Sequence, residues 1–215
     1  MRALVPYLAT HGLRPFQRFF PDFLWRVEAH SRTVYLTFDD GPTPEMTRPI
    51  LNRLAEYDAH ATHFLVGQHA REHPSLVESI LEGGHRIGNH TFTHLDPWRR
   101  PADALIEEAE RTSRLLEDLS GAPVRALRPP YGHPTQALRR WCAEHRQRMV
   151  MWDVMPGDFL QTATAQQVAQ FVIRNVRPGS VIVLHDNPMC EDVTLPALES
   201  ILDTLTTDGW AIDAL

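Results

Sequence analysis

A chain of 215 residues is long enough for one domain with a substantial core, and no break in composition marks a linker. Its 27 acidic against 21 basic residues leave a net charge of -6, which argues against a nucleic-acid backbone or an anionic membrane surface as main partner and favours a neutral ligand. Cys142 and Cys190, in separate predicted elements without metal-type spacing, read as free thiols.

At the N-terminus Arg2 precedes a short apolar piece, Ala3 to Ala9, but Pro6 interrupts it and His11, Arg14 and Arg18 follow, a poor export signal. No apolar run approaches the roughly 20 residues that span a bilayer, so the chain is expected to be soluble and cytoplasmic. Phe16, Phe19, Phe20, Phe23, Leu24 and Trp25 make an aromatic segment. Residues 1–30 are therefore expected to form an arm packing on the domain built from 31–215.

Val34 to Phe38 is short, apolar and rich in β-branched and aromatic residues, a strand buried on both faces that ends in Asp39-Asp40 and a Gly41-Pro42 turn. Thr43 and Pro44 offer a helix start, with Met46, Ile50, Leu51 and Leu54 at helical spacing up to about Tyr57. Ala61 to Val66 is a second strand, Pro74 to Glu82 a helix, and a third strand lies near Arg86 to Gly88. Pro101 opens an amphipathic helix to about Leu119, its apolar side carrying Leu105, Ile106, Leu115, Leu116 and Leu119 and its charged face expected to be solvated. Strands at Val124 to Leu127 and Met149 to Val154 alternate with helices at Pro134 to His145 and Ala165 to Val176. Ser180 to Leu184 is the most apolar strand, followed by a helix from about Leu195 to Leu205 and a last strand near Ala211 to Leu215. Alternation of this kind calls for parallel strands with helical crossovers, and about seven units predict an α/β fold, a distorted (β/α) barrel. An open doubly wound sheet is the alternative, weakened because no glycine-rich phosphate turn follows the first strand.

In a parallel barrel all strand ends open on one face, which gathers the chemistry-bearing residues. Adjacent ionised carboxylates repel, so Asp39 and Asp40 need a metal ion, an arginine or a proton. His90 and His94, at i and i+4 after the third strand, fall on one face of a helical turn and can chelate one ion. By contrast, His60 with His63 and His69 with His73 read as solvated surface pairs. Two histidines and a carboxylate leave open metal positions suited to Zn²⁺ or a redox-active ion, so Asp40 is assigned as ligand with His90 and His94. Asp39 is left as general base toward a metal-activated water. In Arg128-Pro129-Pro130-Tyr131-Gly132 the prolines stiffen the loop. There Arg128 can hold Asp39 by a bidentate pair and the Tyr131 N–H can face a developing oxyanion. His185, ending an apolar strand and paired with Asp158 from Trp152 to Phe159, can stay protonated and act as general acid toward a leaving amine.

Together, in order and from about Thr33 to Leu215, these stretches resemble the polysaccharide deacetylases of carbohydrate esterase family 4, the NodB-homology domain. The resemblance implies a catalytic domain over 31–215 that removes acetyl groups from N-acetylhexosamine units of a peptidoglycan- or chitin-like glycan, with a divalent metal, usually Zn²⁺. It further implies that Arg128 orients Asp39, that Asp158 tunes His185, and that Trp152, Phe159, Val183 and Leu184 shape the acetyl pocket. Met155 stands where the family usually has aspartate, Phe159 where it has tryptophan and Val183 where it has leucine. Competing readings are a hydrolase of another amide or ester and a non-catalytic metal-containing carbohydrate-binding domain; retention of both Asp39 and His185 favours an enzyme. An Fe²⁺ oxygenase is disfavoured, since nothing supplies a cosubstrate site.

Overall fold

The structure, a computed structural model, describes residues 4–12, 17–29 and 31–215. Arg2, Ala3, Arg14 and Phe16 lie outside the described residues. Seven strands form one parallel sheet: β1 (Thr33–Asp39), β2 (Thr62–Leu65), β3 (Arg86–Asn89), β4 (Ala126–Leu127), β5 (Arg148–Met149), β6 (Val181–His185) and β7 (Ala211–Asp213). Their order is β5-β4-β3-β2-β1-β6, with β7 pairing the start of β1. Besides a short helical piece over Leu4–Gly12 and single 3-10 turns, the helices among the described residues are α1 (Thr47–Glu56), α2 (Gly67–Glu72), α3 (Pro74–Glu82), α4 (Ala102–Ser120), α5 (Gln136–Glu144), α6 (Ala165–Asn175) and α7 (Glu191–Thr207).

Side chains of β1 alternate. Val34, Leu36 and Phe38 join the helix-side core with Ile182 and Leu184 of β6 and with α1, α6 and α7. Thr37 turns the other way, where its hydroxyl donates to Ile182 C=O at 2.6 Å and accepts from Arg128 Nη1 at 2.8 Å. The sheet curls without β5 meeting β6 directly; the segment before β1 lies in the gap, where Leu24 pairs with Val150 and Arg26 with Ser180. Phe23 and Leu24 are buried there, whereas Phe19 is 60% exposed. The aromatic segment thus divides between wall and surface.

Several boundaries differ from expectation for physical reasons. Thr43 does not cap α1; its N–H donates to Thr47 Oγ1 and the helix begins four residues later. The helix α2, too short for a periodic signal, was not anticipated. The expected strand from Met149 to Val154 ends at Met149, with Val154 making only an isolated bridge to Ile182. At the end of α4, Leu119 is 37% exposed. Both thiols are free and buried, and burial pushes each up to about 12. No helix among the described residues is long and apolar enough to cross a membrane.

Candidate active site

Parallel register places Asp39 beside His185 on β6 and beside Phe64 on β2, so both acid–base candidates sit at the same rim. Asp40 leaves the strand with φ 77°, yet its Oδ1 and the Oδ2 of Asp39 face the same His90 Nε2, at 3.5 and 3.9 Å. The turn that follows is packed tightly: a Cβ on Gly41 would strike the Asp186 carboxylate, 2.7 Å from its Cγ. Asp186 is itself buried, accepting from Thr43 Oγ1 (2.7 Å) and Thr47 Oγ1 (2.6 Å). Its burial raises the carboxyl to about 6.

His90 and His94 are not on a helix. Thr91 and His94 have φ of 64° and 55°, and the loop is held from outside by Glu108 of α4, which accepts from the N–H groups of Phe92 (2.9 Å) and Thr93 (2.6 Å) and from Thr93 Oγ1 (3.0 Å). One residue of the α4 charged face therefore holds this loop. Asn89 fixes the loop's entry, donating to Ala109 C=O and Ser113 Oγ and accepting from Thr91 N–H. Rings of His90 and His94 lie 5.0 Å apart.

His90 Nε2 and His94 Nε2 approach Asp40 Oδ1 at 3.5 and 3.2 Å, and the three form a cluster that could hold a metal ion. The donor set fits a divalent cation on its own chemistry. His90 Nδ1 lies 2.8 Å from Arg128 C=O, which only accepts, so Nδ1 carries the proton and a neutral ring turns the Nε2 lone pair toward the carboxylate. Two acceptors facing each other want a cation between them. Two groups that the sequence does not assign to the site support Asp40: Asn187 Nδ2 at 3.2 Å from Oδ2, and the His69 ring at 2.8 Å from its carbonyl. Thus His69 is not part of a solvated pair. Asn187 follows His185 by two residues, and that offset past a chemistry-bearing strand end was its only sequence signal.

Arg128 is fully buried and touches Asp39 through a single 2.6 Å contact, Nη1 to Oδ1, rather than a bidentate pair. Its other donors go to Thr37 Oγ1, Met151 C=O and Val150 C=O, and the guanidinium lies 4.1 Å over the Phe64 ring. Burial lowers its proton affinity and Asp39 opposes that, a balance that leaves an arginine charged. Asp39 Oδ2 is left toward the cluster, 3.9 Å from His90 Nε2.

His185 Nδ1 meets Asp158 Oδ1 at 2.8 Å, while Asp158 Oδ2 accepts from His185 N–H and Thr194 Oγ1, each at 2.8 Å. Burial pulls His185 down, and Asp158, with smaller help from Asp40 and Asp39, outweighs it to raise the imidazole to about 9. Nε2 is the nitrogen left to meet a ligand.

A cavity of about 220 Å³ joins these groups, lined by Asp39, Asp40, His90, His94, Tyr131, Gly132, Trp152, Met155, Phe159, Val183 and His185. Arg128 and Asp158 stand behind it. Leu184 does not reach it: alternation along β6 turns Leu184 into the helix-side core and Val183 inward. Gly132 has φ 63° and a Cβ there would collide with the Trp152 ring, so the loop lies directly on the indole.

A barrel rim presenting these carboxylates and imidazoles defines a class, and comparison gives the family. Residues 26–150 match the family model for polysaccharide deacetylase. The chain is 35% identical over 177 residues to a peptidoglycan-N-acetylglucosamine deacetylase of Bacillus cereus, covering 82% of this chain and 64% of that protein's length. It is 34% identical over 196 residues to a chitooligosaccharide deacetylase of Sinorhizobium fredii, covering 85% and 90%. The crystal structure of the Bc1960 peptidoglycan N-acetylglucosamine deacetylase superposes with a TM-score of 0.87 at 31% identity, covering 94% of each chain. A family 4 carbohydrate esterase from Streptomyces lividans, in complex with acetate, gives 0.77 at 33% identity over 86% and 93%. The chain belongs to the polysaccharide deacetylase family, and its fold is the distorted (β/α) barrel.

Proposed function

We propose that this protein is a divalent-metal-dependent hydrolase removing N-acetyl groups from N-acetylhexosamine units of a peptidoglycan- or chitin-like glycan. The observation that carries the reading is that Asp39 and His185, in register on neighbouring strands, share one cavity with the Asp40–His90–His94 cluster. A binding site needs neither a base nor an acid.

Asp40, His90 and His94 would hold the cation, with Zn²⁺ suited to this donor set, and when bound it would supply Lewis acidity to the amide carbonyl and the attacking water. Asp39, anchored through Oδ1 by Arg128, takes the water proton on Oδ2 as the water oxygen bonds to the carbonyl carbon. The Tyr131 N–H donates to the oxygen that gains charge. His185 gives its Nε2 proton to the amide nitrogen as the carbon–nitrogen bond breaks, leaving acetate and an amine. Trp152, Phe159 and Val183 close around the acetyl methyl. Met155 adds apolar lining where an aspartate is usual, and its N–H is taken by Thr10 Oγ1 at 3.1 Å.

Acetate release from chitin oligosaccharides and peptidoglycan fragments tests this reading. Metal-replete protein should release acetate, chelated protein should not, Asp39→Asn should keep metal yet lose about 10²–10⁴-fold in rate, and His90→Ala should lose metal first. No release from either substrate with metal bound would move the reading to another acyl group; equal metal loss in both variants would overturn the division of roles.

A further inference from the structure

The loop between β3 and α4 carries Trp98, a residue 65% exposed yet fixed in place. Its ring lies flat on His133, centroids 3.7 Å apart and planes 1° from parallel. Indole Nε1–H donates to Pro134 C=O at 3.2 Å, and the Trp98 backbone N–H donates to Asp96 Oδ1 at 3.0 Å. The same carboxylate oxygen meets His133 Nδ1 at 2.8 Å. Stacking covers one face of the indole, so the exposure belongs to the other. An exposed aromatic that served only to pin two loops would gain by burying both faces; this one is locked with a face held open to water.

The platform is continuous with the cavity. From His94 the Tyr131 ring is 4.7 Å away, edge-on, and from Tyr131 the His133 ring is 5.8 Å away. Tyr131 is itself 60% exposed, so a track of rings runs outward from the Asp40–His90–His94 cluster through Tyr131 and His133 to Trp98. A β-linked pyranose turns one face of axial C–H groups outward, and that face packs on the electron-rich face of an indole. Because the ring is already immobilised, stacking costs little further side-chain freedom.

We propose that the open face of Trp98 is a glycan subsite that stacks a pyranose ring lying along the chain from the reacting sugar, so that the enzyme favours longer oligosaccharides. The inference deepens the deacetylase reading and rests on it for the identity of the ligand. His133 and Asp96 are positioning residues for that face.

Its test pairs binding with turnover. The Trp98 indole N–H resonance, assigned by its loss in Trp98→Ala, is followed while the metal-loaded protein is titrated with β-1,4-linked N-acetylglucosamine dimer and pentamer, and acetate release is measured in parallel. The pentamer should shift the resonance and the dimer should not. Trp98→Ala should raise KM for the pentamer about tenfold with kcat within about twofold, Trp98→Phe should recover most of the loss, and the dimer should change no more than about twofold. Equal losses for dimer and pentamer, or an unmoved resonance, would overturn the subsite in favour of a loop-pinning role. A shifted resonance with no acetate released would leave the subsite standing and sink the deacetylase reading; acetate released without a length effect would do the reverse.

Discussion

Asp39 and Asp40 are neighbours in sequence with different surroundings. Asp39 keeps to the strand and points at a buried guanidinium, while Asp40 turns out of the strand toward two imidazoles. At the same scale, His185 owes its proton to Asp158. The folded imidazole is raised from 6.5 to about 9, against the pull of burial. Its stabilising contribution is therefore whole below pH about 6.5 and is lost as pH rises through about 9. An acid of this kind predicts that activity falls along an alkaline limb near that upper value. Asp158→Asn removes the partner charge and should move the limb down by about 1–3 pH units, and His185→Ala should abolish it; a pH–rate profile reads both. A limb unmoved in Asp158→Asn would place the general acid elsewhere.

Elements matter here through their ends. The i, i+4 spacing of His90 and His94 suggested a helical turn, and the two rings do converge, but on a loop with two left-handed residues that Glu108 ties to α4. Side-chain periodicity cannot reveal a carboxylate on one helix serving backbone N–H groups of a distant loop, and so Glu108 was read as part of a solvated face. Glu108→Ala should leave the fold in place, with α4 still packed through Leu105, Ala109 and Leu116, while weakening metal affinity by about tenfold. Metal titration followed by calorimetry, with circular dichroism to confirm helix content, checks it. Unchanged affinity would show that Asn89 holds the loop alone.

Across the whole molecule, the histidines the sequence assigned to the surface include one at the centre. His63 is fully buried on the helix side of β2, its ring 5.2 Å from Phe38 and 5.6 Å from His85, with no hydrogen-bond partner for either nitrogen among the described residues. Burial, then the nearby His85, lowers it from 6.5 to about 3. The folded state keeps this ring neutral while the unfolded chain protonates it, so its contribution is intact above pH about 6.5 and is lost as pH falls toward about 3. His63→Leu should flatten that loss: thermal melts of the variant and the parent should diverge at pH 5 in favour of the variant and converge toward pH 7.5. Parallel curves at both pH values would mean that His85 or another group sets the acid limit.

Local composition determined a good deal by itself. Apolar runs ending in Asp39-Asp40 and in His185, helices closed by glycine or opened by proline, and their alternation specify a parallel sheet with all its reactive ends on one face, because strand period and crossover handedness leave few other solutions. Adjacent carboxylates and paired imidazoles pointed to a candidate metal site, since ionised neighbours need a compensating charge and imidazoles are good ligands. Only tertiary structure decided which oxygen of Asp39 is spoken for, that Leu184 faces the helices, that Asn187 and His69 steady Asp40, and that His63 is buried. Each depends on which side of a strand meets which helix and on contacts between residues far apart in the chain, and neither composition nor periodicity encodes those distances.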